Sequence, residues 1–295
     1  MKFFFLITFI LLTVQAFSRD FEAILKDGVL KVATVKSENL LDLLDKIHGK
    51  KYYLKGHPHL VMQTLESFSN YVSKKYKKEL KLEIKYIDGN EKFWLNDSGK
   101  FIKNRRYTPK LFKEVDLYAD VMTIFNWRKR LAYPIRFYPE RSSILCNFYS
   151  HRRMNSQDLF QHASWKIYLR DNPKIKNPEK KLGVSRRKIR LFNGQDEILI
   201  ALSSNSHKEK ACTVMGSDIV VTVAGLRNLY FSGFLNNDIE EDDYTAWWVQ
   251  EKGSLSKVLN DFFRADISDY NESFARSFGI SLNIYKSFLG AFNRQ

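Results

Sequence analysis

Cysteine is nearly absent from this chain, carboxylates are outnumbered, and the usual catalytic signatures are missing. Two cysteines in 295 residues exclude a disulfide-framed fold. Both, Cys146 and Cys212, sit in apolar, strand-like runs, so buried free thiols are expected. A bridge between them is disfavoured because it would have to link two separate lobes. There is no Gly-rich phosphate loop, no Ser-His-Asp order and no motif with paired carboxylates, which removes the sequence grounds for the common hydrolases and nucleotide-dependent enzymes. His57 and His59 form a pair, but no third ligand accompanies them, so no metal and no cofactor are expected.

Asp and Glu number 33 against 48 Lys and Arg, a formal charge of +15. In a cytosolic protein that balance would point to nucleic acid. Here the basic runs at 74–81, 103–106 and 174–190 lack the interleaved aromatics of a nucleic-acid platform and read as solvated faces. The start of the chain argues the same way. Lys2, an apolar run over 3–14 and the small-x-small site Ala16-Phe17-Ser18 have the form of a secretory signal peptide occupying residues 1–18. The run is shorter than the roughly twenty residues of a bilayer span, and no cysteine follows it to carry a lipid. A periplasmic or secreted protein beginning near Arg19 is expected, with no nucleic-acid partner.

At this length two lobes of ordinary size are expected, and 44% hydrophobic residues can fill their cores. Strands are predicted at 29–35 and 80–87 from alternation and β-branching. Between them Leu60, Met62, Leu65, Phe68 and Val72 return at helical spacing. After His151 the pattern restarts with strands at 164–170 and 189–192, a helix over 195–202, and a strand, turn and helix from 211 onward. An acidic linker at 236–243 precedes a strand containing Trp247 and Trp248 and a helix beyond it, and 270–292 ends in amphipathic helix broken near Gly279. The Trp pair is expected to serve packing.

The chemistry concentrates in DLYADVMTIFNWRKRLAYPIRFY, residues 116–138. Residues 117–124 are apolar enough for a strand covered on both faces, and Asn126 can end it as a turn or cap residue. Thr123 and Arg128 then stand just beyond the strand end, where open α/β sheets bind ligands, and a hydroxyl with a guanidinium can share one carboxylate. The competing reading makes Arg128, Lys129 and Arg130 a solvated charge run.

The same segment resembles the family 3 extracytoplasmic solute-binding proteins, with Asp116, Met122, Thr123, Ile124, Arg128 and residues 133–138 in the family's positions and Phe125 and Trp127 departing from them. The opening G-x-L-x-V-A-T at 28–34 is similar to the family's first strand and to the amino-terminal domain of membrane-bound lytic transglycosylase F. The resemblance implies an α/β, two-lobed periplasmic-binding-protein fold of type II, each lobe a mixed sheet flanked by helices. It implies lobe 1 from residues 19–150 plus 244–295 and lobe 2 from 151–243. It makes Arg128 the anchor of a ligand carboxylate beside Thr123, and it adds Ser37 after the first strand and Asn172 in the turn after 164–170. The acid that holds a ligand amino group in relatives falls at Gly216, with Asp218 two residues on.

The function implied is capture of an amino acid or similar small carboxylate by a monomer that feeds an ABC-type importer. Two alternatives stay open: an envelope sensory or regulatory module of the same fold that binds peptide or cell-wall fragments, and a lyase-type enzyme.

Overall fold

A computed structural model describes residues 19–35, 56–87, 94, 110–150, 154, 159, 164–170, 179, 184–205, 208–224, 229–234, 241–265 and 268–291. The expected signal segment and the candidates Ser37 and Asn172 lie outside these residues.

Helix α1, Phe21–Asp27, is bounded by its own sequence: the Asp20 side chain accepts from the Ala23 N–H at 2.7 Å, and Gly28 at φ 67° closes it in the left-handed conformation. Strand β1, Val29–Val35, follows, then helix α2, Gly56–Tyr76, and strand β2, Lys81–Ile87. Leu60, Leu65, Phe68 and Val72 are fully buried along one face of α2, as their spacing predicts. Strand β3, Leu117–Phe125, leads into the one-turn helix α3, Asn126–Lys129, and strand β4, Tyr133–Pro139. Then come β5, Ser142–Cys146; β6, Lys166–Arg170; β7, Ile189–Phe192; α4, Gln195–Ser204; β8, Ala211–Gly216; α5, Ser217–Val223; and β9, Tyr230–Phe234. Strand β10, Glu241–Val249, and helices α6, Ser254–Arg264, α7, Ser268–Phe278, and α8, Leu282–Ala291, complete the described strands and α-helices.

Two five-stranded sheets result, β2-β1-β3-β10-β4 and β7-β6-β8-β5-β9, and they share one plan. Each has three parallel strands, a fourth running antiparallel, and a fifth pairing with the fourth. In each sheet the antiparallel strand is the one the chain forms just after leaving the other sheet: β5 follows β4, and β10 follows β9. The sheets are therefore laced together by two crossings, of which the first consists only of Glu140 and Arg141.

The registers show where these crossings lie. Ser142, the first residue of β5, pairs with Gly216, the last of β8, while Glu241, the first of β10, pairs with Phe125, the last of β3. Both crossings thus join the carboxyl edges of the parallel strands.

Trp247 and Trp248 are both fully buried and, as neighbours on a strand, point to opposite faces of the first sheet. Trp247 enters the core built with α2, α6 and α7, where Phe137 lies 4.9 Å from it, and Trp248 packs at 5.0 Å on Trp94 on the other side.

The structure corrects two expectations. Residues 142–146 belong to the second sheet, not to lobe 1 as the boundary at 150 implied. For the same reason the cysteines are not free thiols. Cys146 on β5 and Cys212 on β8 are direct cross-strand partners with a Cα–Cα distance of 4.1 Å, and they form a disulfide inside one sheet. The supposed obstacle, a bridge between lobes, came from assigning Cys146 to the wrong sheet.

Candidate functional site

At the carboxyl edge of the first sheet, β3 ends in Phe125 and turns at once into α3, which brings Arg128 back over the strand end. Arg128 Nη1 donates to the Thr123 carbonyl at 2.7 Å. Its guanidinium lies 4.6 Å from the Phe125 ring, 5.2 Å from Trp127 and 5.4 Å from Trp94, so three aromatic faces hold the cation in a half-buried position. The expected neighbours Thr123 and Arg128 are brought together. Phe125 and Trp127, which depart from the family pattern, are two of the three rings that position the guanidinium.

Thr123 also faces the crossing, its hydroxyl donating to Glu140 Oε2 at 3.2 Å. The other oxygen of that carboxylate lies against Gly216 at the end of β8. A Cβ on Gly216 would meet Glu140 Oε1 at 2.2 Å and Asp218 Oδ1 at 2.6 Å. The space a side chain would take at 216 is therefore filled by two acids arriving from elsewhere, one from the crossing and one from the first turn of α5.

Asp218 is 1% exposed. Its Oδ2 receives His57 Nε2 at 2.5 Å and the hydroxyl of Tyr138, and its Oδ1 accepts the Ile219 N–H at 2.7 Å. His57 stands at the start of α2 on the first sheet, Tyr138 on β4, and Asp218 on α5 of the second, so the cluster spans the two halves. The groups around it favour an ion pair. Burial acts to lower the His57 pKa, but the charge and hydrogen bond of Asp218, with Glu140 and Asp120 further off, raise it above the ordinary value. Burial acts to raise Asp218, but His57, Tyr138 and the Ile219 N–H hold it below the usual carboxylate range. Burial and the nearby acids push the Tyr138 hydroxyl well above its ordinary pKa, so it remains a donor.

Beside this pair the crossing is knitted to the end of β8. The Ser217 N–H donates to the Arg141 carbonyl at 2.9 Å, the Arg141 N–H donates to Ser217 Oγ at 3.0 Å, and the hydroxyls of Ser217 and Tyr285 lie 2.5 Å apart. His59 turns instead to Ser277 Oγ at 3.0 Å on α7, so the two histidines serve different contacts.

Sequence reasoning named Thr123, Arg128 and Asp218 but missed His57, Tyr138, Glu140, Ser217 and Tyr285 as their neighbours. No local signal links positions 57 and 218, or 140 and 216; only the strand exchange brings them together.

No protein-family model matches the chain, and no curated protein matches it by sequence. Solved structures do match. An amino acid ABC transporter substrate-binding protein from Streptococcus pneumoniae bound to L-arginine aligns with a TM-score of 0.52 at 14% identity, over 88% of this chain and 98% of its own. An ancestral cationic amino acid solute-binding protein aligns at 0.51 and 15% identity, over 87% of this chain and 98% of its own. An ancestral arginine-binding protein bound to glutamine also aligns at 0.51 and 15%, over 86% of this chain and 99% of its own. At such identities the likeness establishes the fold, which is the two-lobed periplasmic-binding-protein arrangement of two mixed sheets flanked by helices.

Proposed function

We propose that this protein is an extracytoplasmic solute-binding protein that captures an amino acid or a similar small carboxylate between its lobes and delivers it to an ABC-type importer. One observation carries the reading: both crossings join the carboxyl edges of the two sheets, and those edges hold Arg128 and Thr123 on one side and Asp218 on the other, with Glu140 on the crossing between them. Carboxyl edges are where open α/β sheets bind ligands, and a guanidinium set apart from carboxylates suits a molecule that carries both signs of charge. The binding proteins that share the fold support the choice of amino acids.

In this reading lobe 1 is residues 19–139 with 241–291, lobe 2 is 142–234, and the two crossings are the hinge. A first crossing of only two residues suits a hinge. Export follows from the leader-like residues 1–18, and no described helix is long and apolar enough to cross a membrane. We read the chain as a binder and not as an enzyme, because the solved structures that share its fold are binding proteins.

The test is a thermal-shift screen of the mature chain against amino acids and small carboxylates. A ligand at a hundred times its Kd stabilises the folded state by about 2.7 kcal/mol, and calorimetry then gives the stoichiometry. One site per chain is expected. Absence of a shift across the whole panel rejects the proposal.

A further inference from the structure

Asp218 already has a cationic partner, and that partner comes from the opposite half of the molecule. His57 Nε2 touches Asp218 Oδ2 at 2.5 Å, the Tyr138 hydroxyl binds the same oxygen, and the Ile219 N–H binds the other. A carboxylate offers about four acceptor positions, so three of those on Asp218 are in use by the protein itself. Any ammonium brought to this acid would lie within contact range of the imidazolium, and two like charges on one buried carboxylate repel strongly in a medium of low dielectric constant. His57 itself is about one quarter exposed on its side chain, whereas Asp218 is wholly enclosed. The imidazole is thus the member of the pair that faces solvent.

We infer that His57 is a built-in occupant of the cation subsite at Asp218, and that a ligand's amino group reaches Asp218 only by displacing the imidazole. This rests on the solute-binding reading above and makes His57 its specificity-determining residue. Ligands that carry an ammonium then compete with the protein's own cation, and carboxylates without one do not.

The competition depends on protonation. Among the described residues the charged groups facing His57 are Asp218 on α5, Glu140 on the first crossing and Asp120 on β3; Tyr138 on β4 is a neutral donor, and the Phe278 ring of α7 lies at 5.4 Å. All three charges are negative, so the protonated imidazole is held in place. Displacing it releases a proton when the ring leaves the acids and returns toward its ordinary pKa of 6.5. The proton goes to buffer and no bond other than N–H is broken. Binding of an ammonium ligand therefore strengthens as pH rises, up to the pH at which the ligand's own amino group begins to lose its proton.

The experiment compares wild type with His57→Gln, which keeps a polar side chain and loses the charge, using L-glutamine and glutaramate, the same molecule without its amino group. Calorimetry is run at pH 6 and pH 8, and the pH 7.5 titrations are repeated in buffers of different ionisation enthalpy. The expected result has four parts: L-glutamine binds His57→Gln at least tenfold more tightly than wild type at pH 6; the gap is narrower at pH 8; binding to wild type releases protons; and glutaramate shows none of these effects. The wild-type pH series and the proton count do not depend on the variant folding. If L-glutamine binds both proteins equally at pH 6 with no proton release, the assignment of His57 is overturned and the functional reading stands. If neither protein binds either compound, and the amino-acid screen is also blank, both readings fall together.

Discussion

His57 Nε2 and Asp218 Oδ2 lie 2.5 Å apart, although 161 positions separate them in the chain and each belongs to a different half of the molecule. The contact is an ion pair whose members have their pKa values shifted in opposite directions. His57 has its pKa raised on folding, so its contribution is fully present below its ordinary 6.5 and is lost as pH rises through the folded value above that. Asp218 has its pKa lowered, so its contribution is present above its ordinary 3.8 and is lost as pH falls through the folded value below that. The pair stabilises most between these limits. Asp218→Asn should cost about 2 to 3 kcal/mol near pH 6, at the low end for a buried pair because His57 is partly exposed. Urea melts from pH 4 to pH 9 check it: the difference from wild type should shrink toward high pH, and a constant difference would count against an ion pair.

The disulfide gives a second test. Cys146 and Cys212 close a loop with a sequence separation of 66 between neighbouring strands. Crosslinks of this kind typically stabilise by about 2 to 4 kcal/mol. The exported protein should show no titratable thiol until it is reduced, and reduction should lower its melting temperature by several degrees at unchanged pH. Two reactive thiols in the unreduced, unfolded protein would show that the bridge does not form.

These two contacts mark the boundary of what the sequence could reveal. Strand β3 was expected over 117–124 and spans Leu117–Phe125; α2 keeps its predicted apolar face; and the Trp pair packs as alternation requires. Such features are written in periods of two or 3.6 residues, which a single segment displays by itself. The exchange of β5 and β10 between sheets is not written that way, because a strand pattern carries no record of which sheet receives it. Everything that depended on the exchange was therefore missed: the cysteine bridge, Glu140 over Gly216, and His57 on Asp218. Arg128 is an intermediate case. Its position beyond β3 was legible, but its setting among Phe125, Trp127 and Trp94 was not, since Trp94 approaches from a distant segment.

The expected cleavage site leads to the third prediction. Arg19 would be the first residue of the exported chain, and its side chain is committed to the fold. Nε and Nη2 contact the two oxygens of Asp116 at 3.0 and 2.5 Å, Nη2 also reaches the Val29 carbonyl at 3.0 Å, and Nη1 meets Asp27 at 2.6 Å. Asp116 is 3% exposed and takes the Lys31 N–H as well, so removing Arg19 would leave a buried carboxylate without its cation. Arg19→Ala should destabilise by about 2 to 3 kcal/mol after allowance for the partial exposure of the guanidinium. Arg19→Lys should recover only part of this, because the fork on Asp116 is lost. Amino-terminal sequencing of exported material should find a start at or before Arg19; a start at Phe21 or later with undiminished stability would contradict this role.

Arg128 carries the last prediction, which separates its structural from its binding role. Stacked against three rings and bonded to the Thr123 carbonyl, the guanidinium already contributes to the fold, so Arg128→Lys should lower stability modestly, by about 1 kcal/mol, as the planar stack gives way to a point charge. If it also anchors a ligand carboxylate, affinity must fall by more than that loss explains. A charge-assisted hydrogen bond contributes about 1.5 to 3 kcal/mol, so losing the second prong of a fork should weaken binding roughly tenfold or more. Lys129 is exposed at the end of the same short helix, and Lys129→Ala should change affinity less than about twofold, within the ±0.5 kcal/mol of ordinary surface substitutions. Calorimetry with a ligand from the screen, run on both variants beside their urea melts, distinguishes the cases. Equal and mild effects on affinity would reduce Arg128 to a packed structural cation, and the carboxylate anchor would have to be sought elsewhere on the two sheet edges.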